Sequence, residues 1–165
     1  MLEHIPEDGV IARVQASPGR RIFGCGAIVA LGMLLVLLAF TQGETGFGYR
    51  IFLMGCGVMF LTLGSVMWRA TQIVIELTEH ELRDSTGVVL APLDNINKVE
   101  RGVFAFKPSN GFLVRLKDSA PRGWRPGLWW RAGKMIGVGG VTPSGEGKFM
   151  AEALAFLLAQ RDNQT

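Results

Sequence analysis

Histidine and cysteine each occur only twice in 165 residues. Cys25 and Cys56 are too few for a secreted disulfide framework, and neither has a histidine or second cysteine at metal-ligand spacing. The sequence therefore offers no metal site. His4 lies in the N-terminal tail and His80 in a predicted turn, "TEHE", whereas a working general base needs a pocket and an orienting partner. No serine sits in a G-x-S-x-G elbow. Glu76 and Glu81 flank a predicted hairpin but read as separate surface carboxylates. The glycine run "GKMIGVGG" fails the phosphate-loop order, since a Walker lysine follows the second glycine and precedes Ser or Thr. A dinucleotide fingerprint would need glycine where Thr142 stands. The expectation is a protein with no enzymatic activity and no cofactor.

Charge is missing from two long stretches. Ile22 to Phe40 and Ile51 to Trp68 hold 19 and 18 residues without an ionisable side chain. Each is long enough to cross a hydrocarbon layer of roughly 30 Å at about 1.5 Å per helical residue. No small-x-small cleavage site follows the first, which argues against a secretory signal. The intervening "TQGETGFGY" carries Glu44 and no base, while Arg20 and Arg21 precede the first span and Arg69 follows the second. The positive-inside rule then places both termini in the cytoplasm. Arg50 dissents at the outer edge, from where it can snorkel to headgroups. In such a hairpin Cys25 and Cys56 stand roughly 13 Å apart along the axis, too far to bridge. Gly57 and Gly64 share one face and are the expected helix-packing positions, allowing another helix to approach closely.

Beyond Thr71 the period changes from helical to alternating. Ile73, Ile75 and Leu77 alternate with Val74 and Glu76, and "ELRDS", "VVLAP", "INKVERGVFAF" and "GFLVRLK" continue as short strands joined by turn formers such as those in "KPSNG". Phe112, Val114 and Leu116 share a face opposite Arg115 and Lys117. The chain closes with a predicted amphipathic helix, Thr142 as N-cap and Pro143 first, its stripe being Phe149, Met150, Ala153, Leu154, Leu157 and Leu158. Gly145 and Gly147 weaken its first turn and allow a later start.

The phrase "IELTEHELRDSTGVVLAPLDNINKVE" resembles the opening of bacterial pleckstrin-homology-like (PH-like) domains. The positions carrying the resemblance are Ile75, Leu77, Thr78 and Leu82, then Pro92, Leu93, Asn95 and Ile96. Asn95 fills a position that is acidic in the family, with Asp94 one place earlier. The resemblance implies a bent antiparallel sheet, or partly open barrel, of seven strands closed by a C-terminal helix, in a family whose members often follow one or two membrane spans. It covers about residues 71–161 and is diffuse over 119–140. The implied organisation is a tail over 1–20, a transmembrane hairpin over 21–69 with spans near 22–41 and 50–68, and a cytoplasmic α+β domain over 71–162. The tail reads as mobile, although "GVIARVQ" could add an edge strand.

That diffuse region holds "PRGWRPGLWWRAGKMIGVGG", with three of the four tryptophans, four basic residues and no acid. Trp124, Trp129 and Trp130 suit a membrane interface, and Arg122, Arg125, Arg131 and Lys134 suit anionic lipid headgroups. The same residue types form protein interfaces, and one or two of the tryptophans could instead plug the sheet. Nucleic acid is excluded as a partner, because a net charge of +3 and mixed segments such as "TEHELRD" leave no continuous basic stripe. The expected function is a non-enzymatic binding or scaffolding module at the inner face of a bacterial cytoplasmic membrane, contacting lipids, a membrane protein partner or a second copy. The alternative is an accessory subunit of a larger membrane complex, docked through the glycine face of its hairpin.

Overall fold

The computed structural model describes residues 9–41, 46–100 and 111–162. His4, the loop positions around Glu44, and residues 101–110, which include most of "RGVFAFKPSNG", lie outside the described residues. In chain order the elements are β1 (Val10–Val14), α1 (Pro18–Thr41), α2 (Phe47–Ala70), β2 (Ile75–Thr78), β3 (Glu81–Asp84), β4 (Val89–Pro92), a short 3-10 helix (Leu93–Asn95), β5 (Ile96–Glu100), β6 (Phe112–Arg125), β7 (Trp129–Val138) and α3 (Ser144–Asp162). The chain forms two compact units, Pro18–Arg69 and the segments flanking it.

The helical unit is a pair of long apolar helices. Small residues recur every seven positions on α1, where Cys25, Gly32 and Ala39 are the buried ones. A Cβ built on Gly32 would stand 3.0 Å from the carbonyl oxygen of Gly57, and one on Gly57 would stand 2.6 Å from a Val36 methyl. Gly64 likewise leaves room for Val29. The glycines thus let two backbones touch, as in membrane helix pairs, and a seven-residue repeat keeps the seam on one face. The helix that Gly57 and Gly64 admit is α1 of the same chain. Neither cysteine is in a disulfide, and Cys25 is buried in the seam.

The second unit has two antiparallel sheets, in the orders β1-β2-β3-β4 and β5-β6-β7. Period-2 alternation builds its core: Val10, Ala12, Val14, Ile75, Leu77 and Leu82 from the first sheet meet Ile96, Phe112, Val114, Leu116, Ile136 and Val138 from the second. The solvent side of the first sheet carries a charge ladder. Arg13 lies opposite Glu76, which lies opposite Arg83, with N–O separations of 3.7 and 3.3 Å. Such cross-strand pairs fix register, because a one-residue slip would bring the charges inward.

Between the sheets "PLDNI" makes a corner with Leu93 and Ile96 buried. The Asn95 amide oxygen accepts from the Asp118 backbone N–H at 2.8 Å, and its NH₂ donates to the Asp118 carbonyl at 3.3 Å. A carboxylate could make only the first of these bonds, which gives the amide a physical reason at a position expected to be acidic. Helix α3 buries Met150, Ala151, Ala153, Leu154 and Leu158. Arg161 in its last turn donates to the Leu93 carbonyl at 2.7 Å.

Three expectations need correction. Residues 10–17 are not a mobile tail, and the edge strand expected as the other reading of "GVIARVQ" is present: β1 pairs along β2, with Val14 opposite Ile75, and Val10 and Val14 are buried. The β-rich domain is therefore discontinuous, beginning before the hairpin rather than at 71. Phe149, assigned to the buried stripe of the last helix, is exposed, and Ala151 takes its place. The first α3 bond runs from Gly147 N–H to the Pro143 carbonyl, so Pro143 is at the cap and Thr142 is buried before it.

Candidate functional site

The tryptophan-rich segment is a long β-hairpin. Strands β6 and β7 pair from Phe112 with Val138 out to Arg125 with Trp129, but the stretch of β6 from Arg115 to Ala120 faces only the shorter stretch from Met135 to Gly133. Such an irregularity bends the ribbon. The bend returns the tip to the hairpin's own base, where the Gly139 N–H donates to the Leu128 carbonyl at 2.8 Å and the Val141 N–H to the Gly127 carbonyl at 3.1 Å. Gly140 is at φ +131°, and a Cβ there would lie 2.6 Å from the Gly127 oxygen. Only glycine admits that conformation and that approach.

Folding back decides where each tryptophan goes. Leu128 and Trp129 enter the core, Trp129 with 3% of its surface exposed. Its indole lies across Gly123, where a Cβ would stand 2.8 Å from the ring, and Trp130 lies across Gly137, where the separation would be 2.4 Å. Each glycine is thus a notch for an indole. The Trp129 Nε1–H is buried and has no acceptor among the described residues. Trp124, opposite Trp130 in the ladder, is 63% exposed.

Most of the basic residues hold the domain together. Arg131 donates from Nη1 to the carbonyls of Val89 at 2.8 Å and Leu90 at 2.7 Å, and from Nε to that of Pro121 at 2.6 Å. It thereby satisfies acceptors of β4, an edge strand of the first sheet. Lys134 donates to the Lys117 carbonyl at 2.7 Å. Arg125 Nε lies 3.9 Å from Oδ2 of the fully buried Asp84. The other Asp84 oxygen accepts from the N–H groups of Thr86 at 3.0 Å and Val88 at 3.1 Å, closing the β3–β4 turn. Of the seven residues expected to form a binding surface, Trp129 is core, Arg125 and Arg131 reach other parts of the domain, and exposed Lys134 bonds across its own hairpin. The outer face of the arm retains Arg122 and Trp124, alternate residues of one strand, with half-buried Trp130 opposite.

The remaining candidates have equally local roles. Glu76 belongs to the charge ladder, and Glu81 lies 3.9 Å from Arg83. His80 is exposed in a turn shaped by the Thr78 hydroxyl, which accepts from the N–H groups of His80 and Glu81. Glu100 sits 2.8 Å from both Lys98 and Arg115. The hydrogen bond from Lys98, then that from Arg115, holds its carboxyl below the ordinary glutamate range. In the glycine run, Gly133 supplies a bend at φ +57°, Gly137 a notch, and Gly139 and Gly140 the return of the tip.

Asp84, Gly123 and Gly137 were not singled out in the sequence. Two tryptophans within a strand whose partner positions include glycines are the signal that could have found the notches. No family model, curated protein or solved structure matches this chain.

Proposed function

We propose that the chain is a two-span protein of a bacterial cytoplasmic membrane, and that its β-rich unit is a PH-like, non-enzymatic binding module on the cytoplasmic side. The observation that carries this reading is the pairing of β1 with β2. These strands lie on either side of the helical hairpin in sequence, yet belong to one sheet. If the helices cross a bilayer, both of their outer ends must be on the same side, and the arginines at 20, 21 and 69 independently favour that arrangement.

Burial supports insertion. Only 17% of the apolar window of each helix is buried, where a core helix of a water-soluble protein would be mostly covered. Phe23, Phe40, Phe47 and Phe52 are all exposed on the helices, and hiding each from water gains about 1.5–3 kcal/mol. The PH-like reading is supported by the four-plus-three strand order and the C-terminal helix packed on the core. For binding, the support is the outward Arg122 and Trp124, a pair typical of interface anchors. Docking through Gly57 and Gly64 finds less support, since both face α1.

Topology is testable with single cysteines in a Cys25→Ser, Cys56→Ser background. In Glu3→Cys, Glu44→Cys and Thr165→Cys variants, an impermeant maleimide should label the first and last from one side of sealed vesicles and the middle one from the other. Labelling of all three from one side would refute the two-span reading. For the module, Arg122→Glu with Trp124→Ala should abolish recovery of a stoichiometric partner or of anionic vesicles while leaving the domain's melting unchanged. Unaltered binding of both would refute that surface.

A further inference from the structure

Facing stretches of α1, Ile22 to Val29, and α2, Leu61 to Arg69, enclose an open groove of about 510 Å³. Its lining is apolar, including Cys25, Gly26, Val29, Leu61 and Trp68, with Ser65 and Arg69 the polar exceptions. The groove runs about 10–12 Å by helical rise, and about 15 Å is the depth of one leaflet's hydrocarbon. Farther along, the helices close on each other at Gly32 and Gly57.

Charge is concentrated at the groove's shallow end. Arg69 lines it, and the Arg21 guanidinium lies 4.0 Å from the centroid of Trp68, which forms its wall. The Arg21 Nε is buried without an acceptor among the described residues. Neither helix carries an acidic residue to neutralise these cations.

We infer that this groove holds an acyl chain of an anionic phospholipid from the inner leaflet, its phosphate accepting from Arg21 and Arg69. The inference rests on the two-span reading. A lipid fits better than a third helix: a crossing helix needs a complementary face over the full hydrocarbon thickness, whereas this groove stops within one leaflet and ends at Arg69, with Arg21 stacked on its Trp68 wall.

The test uses the full-length chain, purified in a neutral detergent and titrated with phosphatidylglycerol or phosphatidylcholine, with bound lipid counted by native mass spectrometry. One phosphatidylglycerol should bind in preference. Arg21→Gln and Arg69→Gln should each weaken it about fivefold, the equivalent of the charge term per basic residue near an anionic surface, without altering phosphatidylcholine binding. Gly26→Leu should block both lipids, and because a Cβ at Gly26 meets nothing within 4 Å, it leaves the helix seam intact. Equal affinity for the two lipids, or indifference to Gly26→Leu, would overturn the inference. So would loss of a second copy or another polypeptide on Gly26→Leu, which would make the groove a helix-docking site. Carbonate extraction of native membranes separates the two levels: release of the chain sinks the two-span reading itself, while retention with a flat lipid titration sinks only the groove.

Discussion

Removing β1 should unfold a domain that is otherwise continuous in sequence. Val10 and Val14 are buried, and each contributes about 1.5–3 kcal/mol, so the two together supply roughly 3–6 kcal/mol. The ladder to β2 adds backbone hydrogen bonds worth about 1 kcal/mol each, and stripping β1 also uncovers Ile75 and Leu77. A domain of this size has about 5–15 kcal/mol in total. A fragment of residues 70–165 should therefore be largely unfolded in water. A single chain joining residues 9–17 to 70–165 through about five Gly or Ser residues, which reach roughly 17 Å, should unfold cooperatively in urea. The buried Trp129 supplies the fluorescence signal in both. Within the fused chain, Val14→Ala should lower stability by about 2 kcal/mol, from two lost methyl groups and the cavity left behind. If the 70–165 fragment melts cooperatively at the same urea concentration as the fusion, β1 is an ornament and the discontinuous domain is wrong.

Tryptophan replacements should separate core from surface: Trp129→Ala should cost about 3–5 kcal/mol in urea melts, whereas Trp124→Ala should stay within about 0.5 kcal/mol. Trp129→Phe should cost far less than Trp129→Ala, because it keeps most of the ring volume in the core while removing an N–H that is buried without an acceptor among the described residues; a loss as large as that of Trp129→Ala would refute a packing role for the ring. Arg131→Gln should destabilise the fused domain by about 2 kcal/mol through the carbonyls of Val89, Leu90 and Pro121 that it leaves unpaired, and a neutral outcome would mean water replaces the guanidinium there. Glu100 has a depressed pKa, so its contribution is complete above the unfolded value of about 4.3 and is lost as pH falls through the folded one. The stability difference between the parent and Glu100→Gln should accordingly close as pH drops below that range, and a gap indifferent to pH would remove the ion pairs as its cause.

Which parts of this architecture could be read from the sequence follows from the range of the forces involved. The two apolar helices and the alternation of Ile75, Leu77, Phe112, Val114 and Leu116 were legible because burial patterns repeat locally. The strand in "GVIARVQ" was legible from its alternation, but its partner was not: Ile75 lies 61 positions from Val14, beyond two long apolar helices, and nothing local marks that closure. The arm over 112–138 was obscure for a related reason. Its composition suggested a surface, since Trp and Arg populate interfaces, but composition is blind to a ribbon that doubles back. Once the tip reaches Gly139 and Val141, Trp129 becomes core and Arg131 becomes a cap for carbonyls of a strand edge. Arg122 and Trp124 remain outward because they fall on the one strand face that the fold-back does not cover. The candidate surface is thus what the fold leaves after satisfying its own donors and notches, and only two of the seven residues expected there remain fully available.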